Sequence, residues 1–383
     1  MFNFNLDWKK LALLILIVLF AITFTLNTTA QNLKIHFIDV GQGDSILIET
    51  AAGENILVDG GDRADKIAAG IIDYLQKQKI EKLDYLISTH PHADHIGGLA
   101  DILDSFEVET VLDSGKIHTS KTYENYLTKI DQKNINFKTP RRGDQFQLGK
   151  TKLKFLHPDS PVEAYDLNNS SLVFLLEYRQ QKFLFTGDIE KEVEATLLKE
   201  NPDLRVNLIK VPHHGSKTSS SKDFVEQLKP ETAVIQVGDN HYGHPAAEVI
   251  ELYQNQGARV YRNDLNGNLV VTADGSDYTV KVDKSVEDIK EDSADNDSNS
   301  EPKNKTESDK AKKGTETGKD LININTASAS VLDQLWGIGP ATAEKIINYR
   351  EDKGDFEQIE EIKNVDGIDD GKFEHWQDKI TVE

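Results

Sequence analysis

The strongest functional signal in the chain is the segment 88–95, which reads Ser-Thr-His-Pro-His-Ala-Asp-His. It follows the apolar run 83–88, which is typical of a buried strand. Four potential metal ligands stand within six residues, and they are His90, His92, Asp94 and His95. Pro91 stiffens the turn, so the first two ligands can face one point and the last two a second point. The spacing therefore predicts two adjacent metal sites.

Similar side chains recur where other predicted strands end. Asp188 closes the apolar run 183–188 directly after a glycine, and the two oxygens of a carboxylate can bridge two cations. A histidine pair, 213–214, follows the predicted strand 206–211, and His244 follows the strand 232–237 within a Tyr-Gly-His-Pro segment. Because each cluster comes just after a strand, the pattern favours one shared site over chance occurrences.

The composition limits the chemistry of such a site. The 383 residues include no Cys, which excludes disulfides, thiol nucleophiles and Cys-ligated zinc. The formal net charge is −21, from 44 Lys and Arg against 65 Asp and Glu. This excludes binding of nucleic acid through a positive charge spread over the whole protein surface. A metal site must therefore use His and carboxylates, and any binding of phosphate must be local.

Composition also divides the chain into four segments. Residues 1–30 contain two lysines, then the apolar run 11–24, then small residues of the kind found at a signal-peptidase cleavage site. This pattern predicts a signal peptide or an N-terminal membrane anchor. The run is shorter than the roughly 20 residues that span a bilayer comfortably, which favours release over tethering. A large folded block covers 32–284. Residues 285–319 are polar, acidic and free of aromatic residues, which predicts a disordered linker before a small block at 320–383.

Apolar periodicity predicts an α/β fold for the large block. Strands are expected at 33–38, 45–49, 55–58, 83–88, 172–178, 182–186, 206–211, 232–237 and 268–272. Helical spacing joins Ile67, Ile71 and Leu75, as well as Val193 with Leu197 and Val249 with Tyr253. Early strands are spaced for hairpins and later ones alternate with helices. We therefore expect mixed sheets with outer helices.

These motifs resemble the metallo-β-lactamase superfamily, whose HxHxDH ligand motif stands here at 90–95. The segments 37–44 (Phe-Ile-Asp-Val-Gly-Gln-Gly-Asp), 212–216 (Pro-His-His-Gly-Ser) and 242–245 narrow the resemblance to the extracellular hydrolase-like domain of ComEC, the competence DNA-channel protein. The resemblance covers about 32–284 and implies an αββα sandwich with a two-metal site. No counterpart of the channel's long membrane-spanning region is seen, so we expect a free-standing relative.

The resemblance also implies roles for individual residues. His90 and His92 would hold one metal, Asp94 and His95 the other, and Asp188 would bridge them. The further candidate ligands are His157, His214 and His244. Asp39 and Asp44 would support the ligands by hydrogen bonds or shape the floor of the site. The implied cofactor is a pair of divalent ions, with zinc the first expectation and manganese the second.

Such a pair of metals, about 3.5–4 Å apart, activates a water and clamps the oxygens of a phosphodiester. The candidate catalytic residues are Asp94, His213 and His214. Whichever histidine of the pair is free of metal would stabilise the phosphorus centre or protonate the leaving oxygen. Lys210, Ser216 and Lys217 are candidate phosphate contacts, with ordinary surface charge as the alternative for the lysines.

The small block repeats one pattern twice, an apolar helical face followed by a Gly-containing turn and a second helix. It resembles the tandem helix-hairpin-helix domain of ComEA, the competence DNA receptor, an all-α module that binds the DNA backbone without reading sequence. Free amides at the helix start would form the phosphate site. The candidate DNA contacts are Gly337, Ile338, Gly339, Pro340, Ala341 and Lys345.

The charge of this block opposes strong DNA binding. Residues 320–383 contain six Lys and Arg against fifteen Asp and Glu, a net of −9. The second hairpin carries Asp366, Asp369 and Asp370 where a phosphate would approach, so we expect it to be mainly structural. A packing or protein-interaction unit is the alternative for the module.

The leading hypothesis from the sequence is an exported, metal-dependent phosphodiesterase that cleaves DNA without sequence preference and is tethered to it by the small block. One alternative is a competence-type DNA receptor or scaffold with little turnover, and another is a phosphodiesterase acting on teichoic acid or phosphocholine. We expect the protein to be secreted or held on the outer face of the cytoplasmic membrane by residues 1–30. The sequence identifies no protein partner.

Overall fold

A computed structural model describes residues 32–159, 161–240, 242–284, 321–327, 332, 335, 338, 340–377 and 379–382. The expected N-terminal segment and linker lie outside the described residues. Among the helices that are described, none is long and apolar enough to cross a membrane.

Two mixed β-sheets form the centre of the large block. In chain order its strands are β1 (Leu33–Phe37), β2 (Ile46–Glu49), β3 (Asn55–Val58), β4 (Lys82–Ser88), β5 (Glu107–Asp113), β6 (Asn136–Lys138), β7 (Gln145–Leu148), β8 (Thr151–His157), β9 (Val173–Tyr178), β10 (Gln181–Phe185), β11 (Leu208–Lys210), β12 (Thr232–Ile235), β13 (Arg259–Arg262), β14 (Leu269–Ala273) and β15 (Tyr278–Val282). The spatial order is β15-β14-β1-β2-β3-β4-β5-β6 in the first sheet and β13-β12-β11-β10-β9-β8-β7 in the second. The sequence-predicted strands are confirmed within about two residues at their ends.

Helices cover the outer faces of both sheets. They are α1 (Asp65–Lys77), α2 (Ala93–Ile96), α3 (Leu99–Ser105), α4 (Lys121–Gln132), α5 (Lys191–Glu200), α6 (Lys222–Leu228), α7 (Ala247–Asn255) and α8 (Asn263–Asn266). Apolar side chains of α1, α3 and α4 pack on the first sheet, and those of α5, α6 and α7 pack on the second. The layers therefore stack as the predicted αββα sandwich.

The inner faces of the sheets share an apolar core. Leu33, Ile35 and Phe37 alternate along β1 and are completely buried there, as the period of a strand requires. The rings of Phe174 and Phe185 stack with their centroids 4.7 Å apart. This core fixes the strands, so that the loops at their carboxyl ends hold a constant geometry.

The C-terminal part has a core of its own, with Trp376 completely buried in it. Its elements are β16 (Ile322–Asn323), α9 (Pro340–Lys353), a 3-10 turn (Ile359–Asn364), α10 (Asp370–Trp376) and β17 (Ile380–Thr381). The strands β16 and β17 pair in parallel, an addition to the expected all-α module. Nη1 of Arg63, in the large block, donates to Asp355 in the small one at 2.8 Å.

Candidate metal centre

The loop after β4 begins the site. His90 and His92 stand in it, and the short helix α2 carries Asp94 and His95. The glycine turn before β2 crosses close beside α2, because a Cβ at Gly43 would lie only 2.4 Å from the carbonyl oxygen of Asp94. This close approach, together with the positive φ of 120° at Gly43, accounts for the glycine in the segment 37–44.

Four side chains from three loops converge on one point. Asp94, His95, Asp188 and His214 each offer a ligand atom, and these atoms all lie within 4.8 Å of one another. Oδ2 of Asp188 is 3.2 Å from Nε2 of His95 and 3.2 Å from Nε2 of His214. The same nitrogen of His214 is 3.2 Å from Oδ2 of Asp94. Asp188 therefore occupies the centre of the cluster.

The other two histidines of the loop lie beside this cluster. Nε2 of His90 is 3.0 Å from Nδ1 of His92, and the ring of His90 is centred 4.1 Å from that of His95. Burial lowers the pKa of both His90 and His92, so that both rings are neutral at neutral pH, as candidate metal ligands must be. The structure thus brings together His90, His92, Asp94, His95, Asp188 and His214.

Hydrogen bonds outside the cluster orient its histidines. Nδ1 of His95 lies 2.8 Å from Oδ2 of Asp59, and that carboxylate also accepts from the amide of Thr89. Nδ1 of His214 donates to the main-chain oxygen of Gln236 at 2.9 Å and lies 3.4 Å from Asp44. Each ring therefore directs Nε2 into the cluster, an arrangement common among metal-binding histidines.

Asp59 was missed by the sequence reasoning. It follows the buried strand β3 directly and precedes Gly60 and Gly61. Asp188 was singled out by a similar pattern, in which the glycine comes before the carboxylate. The carboxylate of Asp44, expected to support the ligands, lies within 4 Å of ring nitrogens of His95 and His214 and pairs with the ammonium of Lys210.

The electrostatics of the cluster favour cations. Burial alone would raise the pKa of the Asp188 carboxyl, but the charges of His214, His95 and Lys210 hold it well below its usual range. Burial opposes a charge on His95 in the same way, yet Asp188, Asp94 and Asp59 raise its pKa well above the ordinary value. The carboxylates that attract a proton to this ring would equally attract a metal ion.

The residues present fit a metal pair of the kind that the fold implies. Nδ1 of His244 is buried and makes no hydrogen bond within the described residues, and Nε2 of His214 faces the carboxylates of Asp94 and Asp188. Three buried carboxylates, Asp44, Asp59 and Asp188, and the partly exposed Asp94 lie together here, and the buried ammonium of Lys210 pairs with two of them, Asp44 and Asp188. Imidazole with carboxylate suits zinc, while carboxylate oxygen also suits manganese.

Lys210 corrects one prediction. We expected it to contact phosphate, but its side chain is only 1% exposed. Its ammonium pairs with Asp44 and with Asp188, the latter at 3.3 Å, and donates to the carbonyl oxygen of Gly187. Lys210 is therefore an internal counter-ion that steadies two carboxylates of the site rather than a group available to substrate.

Two further expectations change for the same kind of reason. His157 is buried, and its Nε2 lies 2.7 Å from the main-chain oxygen of Asn169, so this ring is used to hold a loop and not brought to the cluster. Asp39 is exposed, and it accepts from the amide of Gly41 within its own turn. Neither residue has a contact with the cluster among the described interactions.

The remaining predicted phosphate contacts divide by exposure. Ser216 is buried, and its hydroxyl is shared with Thr218 at 3.1 Å. Lys217 is 71% exposed, and its Nζ lies 3.8 Å from Oε2 of Glu248. Lys217 is thus the candidate that remains open to solvent, with ordinary surface charge still the alternative.

The other member of the histidine pair lies on the open side of the site. His213 is 19% exposed, and its ring centre is 5.4 Å from that of His244. Nδ1 of His213 is 3.4 Å from Oε1 of Glu190 and 3.2 Å from Oγ1 of Thr218. Burial, then His213 and His214, lower the pKa of His244 to about 4, so His244 also presents a neutral ring.

The candidate DNA contacts are described in part. Gly337, Gly339 and the side chains of Pro340 and Ala341 lie outside the described residues, although α9 begins at Pro340 as the sequence predicts. Ile338 corrects the prediction, because its side chain is buried in the core of the module and its amide donates to Leu335. Lys345 is half exposed, and its Nζ lies 2.6 Å from Oδ2 of Asp366 in the second hairpin.

The αββα sandwich with this ligand set is characteristic of a class of proteins that are generally metal-dependent hydrolases. The metallo-β-lactamase superfamily model matches residues 38–239, and the chain belongs to this superfamily. A helix-hairpin-helix motif matches residues 318–381. Both matches confirm the resemblance on which the sequence-based expectations were built.

The chain is similar to competence proteins in both parts. It is 33% identical to ComE operon protein 3 of Bacillus subtilis over 253 residues, which are 62% of this chain and 32% of that protein. It is 30% identical to Competence protein ComA of Neisseria gonorrhoeae over 235 residues, 60% of this chain and 31% of that protein. ComE operon protein 1 of Bacillus subtilis is 48% identical over 62 residues, 16% of this chain and 30% of that protein. The chain thus spans about a third of the length of each of these relatives.

Proposed function

We propose that the protein is an exported, metal-dependent phosphodiesterase that hydrolyses DNA without sequence preference. The observation that carries the proposal is the position of Asp188, whose Oδ2 lies 3.2 Å from His95 and 3.2 Å from His214. A carboxylate in that position can hold two cations side by side. A DNA substrate is supported by the helix-hairpin-helix match and by the similarity to competence proteins.

The reaction adds water to a phosphodiester and yields a phosphomonoester and an alcohol. His90, His92 and Asp188 would hold one metal, and Asp94, His95, His214 and Asp188 the other. A bound metal pair lowers the pKa of a water and neutralises the phosphate charge. Asp94, 27% exposed, borders the open side on which a substrate approaches. His213 on that side is the residue placed to protonate the leaving oxygen.

The small block would act as a tether. It is joined to the hydrolase by residues 285–319, and a linked binding module raises the local concentration of its substrate to about the millimolar range at best. Its net charge of −9 suits weak, reversible contact with DNA rather than tight capture. Export is supported by the charged and apolar pattern of residues 1–30.

Cleavage of linear duplex DNA by the purified chain tests the proposal. We expect cleavage with manganese or zinc, none with excess chelator, and none by the Asp188→Asn variant. Asp39→Asn is the matched control, because Asp39 is exposed and away from the cluster. Cleavage that persists in Asp188→Asn would contradict the proposal, and metal-loaded protein that binds DNA without cleaving it would favour the receptor alternative.

A further inference from the structure

Glu190 and Thr218 contact the ring of His213 at its Nδ1 atom. Oε1 of Glu190 is 3.4 Å from Nδ1 of His213, and Oγ1 of Thr218 is 3.2 Å from the same nitrogen. Thr218 in turn donates to Oε1 of Glu190 at 2.7 Å. The side chains of Glu190, Thr218 and His213 therefore each contact the other two, with Nδ1 of the ring at the point of contact.

Glu190 is itself fixed by its surroundings. Its amide donates to Oδ1 of Asn169 at 2.9 Å, and it immediately precedes α5. The amide of Lys191 donates to the carbonyl of Thr218, which ties the two chain segments together. A carboxylate held in this way can select one tautomer and one orientation of a neighbouring imidazole.

The backbone of His213 shows that its position is strongly constrained. Its φ is 50°, and that of His214 is 51°, a region that non-glycine residues seldom adopt. Two such residues in succession place His214 in the cluster and His213 outside it. Surrounding contacts must hold this conformation, because it is unfavourable for residues other than glycine.

We propose that Glu190, supported by Thr218, is the positioning residue that keeps the proton on Nδ1 of His213 and directs Nε2 to the leaving oxygen of a phosphodiester. This rests on the proposed function. In the step served, water oxygen bonds to phosphorus and its proton passes to the lone pair of Nε2. As the bond from phosphorus to the leaving oxygen breaks, Nε2 hands this proton to that oxygen and returns to the neutral Nδ1–H form. Nδ2 of Asn168 lies 3.5 Å from Nε2 of His213 and can donate to it in the Nδ1–H form.

The Glu190→Gln variant tests this with two substrates that differ in leaving group. Gln retains an acceptor for Thr218 but turns an amide donor to His213, which moves the ring proton to Nε2. We expect kcat for a dinucleotide, whose alkoxide needs a proton, to fall about 100-fold with KM unchanged. For bis(p-nitrophenyl) phosphate, whose leaving group needs none, we expect less than about a threefold change. Glu248→Gln, at an exposed surface glutamate, is the control.

Two readouts separate this proposal from the phosphodiesterase proposal. Imidazole ¹⁵N spectra, with the His213 signal assigned from His213→Gln, should show the Nδ1–H form in the wild type and its loss in Glu190→Gln, whether or not any phosphodiester is hydrolysed. Metal content should not change. An unchanged tautomer, an equal loss on both substrates, or a loss of metal would overturn the positioning role.

Discussion

The carboxylate of Asp59 lies 2.8 Å from Nδ1 of His95, on the side of the ring opposite the nitrogen that faces Asp188. This contact keeps a proton on Nδ1, so that Nε2 is the nitrogen that would give up its proton to bind a metal ion. Asp59 would thus orient His95 toward a metal ion held beside Asp188.

Asp59→Asn is expected to weaken metal binding about 10- to 100-fold, because an amide donor facing Nδ1 favours the wrong tautomer of His95. The measurement is a competition titration with a metal-binding dye. Asp39→Asn serves as control, since that carboxylate accepts only within its own turn among the described contacts. Equal metal affinity of the two variants would contradict the role of Asp59.

Lys210→Met is expected to destabilise the metal-free protein by about 3–5 kcal/mol, because two buried carboxylates lose their counter-ion. Metal should recover part of this loss by supplying positive charge to Asp188. Urea unfolding with chelator and with metal measures both quantities. Lys217→Met, at a position 71% exposed, should change the free energy of unfolding by no more than about 0.5 kcal/mol. Similar effects at both lysines would show that Lys210 is not an internal counter-ion.

Asp113 gives a stability prediction that depends on pH. Burial raises its pKa from 3.8 to about 6, although Gly115 and Tyr126 donate hydrogen bonds to it. The folded state therefore binds more protons than the unfolded state between these values, and stability falls as pH rises through this window. Two units correspond to about 3 kcal/mol.

Asn is neutral at every pH, so Asp113→Asn should gain stability relative to wild type by about that amount between pH 4 and 7. The measurement is urea unfolding of both proteins with chelator at several pH values. A difference between them that does not vary with pH would refute the assignment to Asp113.

The hairpin turn can be tested in the full chain, with Asp188→Asn added to prevent cleavage. Replacing both Gly337 and Gly339 by Val should weaken duplex binding about tenfold or more, since side chains would crowd the amides at the start of α9. Fluorescence anisotropy with two unrelated duplexes measures this and should show no sequence preference. Buried Trp376 reports whether the module stays folded. Equal binding by a folded double variant would place DNA elsewhere.

Local sequence signals were sufficient for mixed sheets with outer helices and for the loop that carries most of the site, while the αββα sandwich followed from the resemblance to the metallo-β-lactamase superfamily. Residues 90–95 and Asp188 stand directly after apolar strands, and buried strands of that kind are recognisable from their composition alone. By contrast, β8 and β15 were not predicted, because polar residues alternate with apolar ones along them, Lys152 and Lys154 in β8 and Thr279 and Lys281 in β15. Half-buried strands carry a weaker signal because one face tolerates any polar residue.

The errors concern residues whose role depends on distant partners. Lys210 looked like a surface cation beside the histidine pair, but Asp44 and Asp188 reach it from loops distant in the sequence. His157 looked like a ligand until the carbonyl of Asn169 proved to be its partner. Spacing along the chain cannot give these tertiary contacts. Glu190 was not predicted either, because its partner Thr218 is far from it in the sequence.

Reconstitution of activity with metal tests the central claim most directly. Chelated protein is titrated with manganese or zinc, and hydrolysis of bis(p-nitrophenyl) phosphate is followed together with the bound metal. We predict that hydrolysis rises with added metal and reaches a plateau at close to two ions per chain. Protein that binds two ions and hydrolyses neither this ester nor DNA would contradict the account, as would full activity with no metal bound.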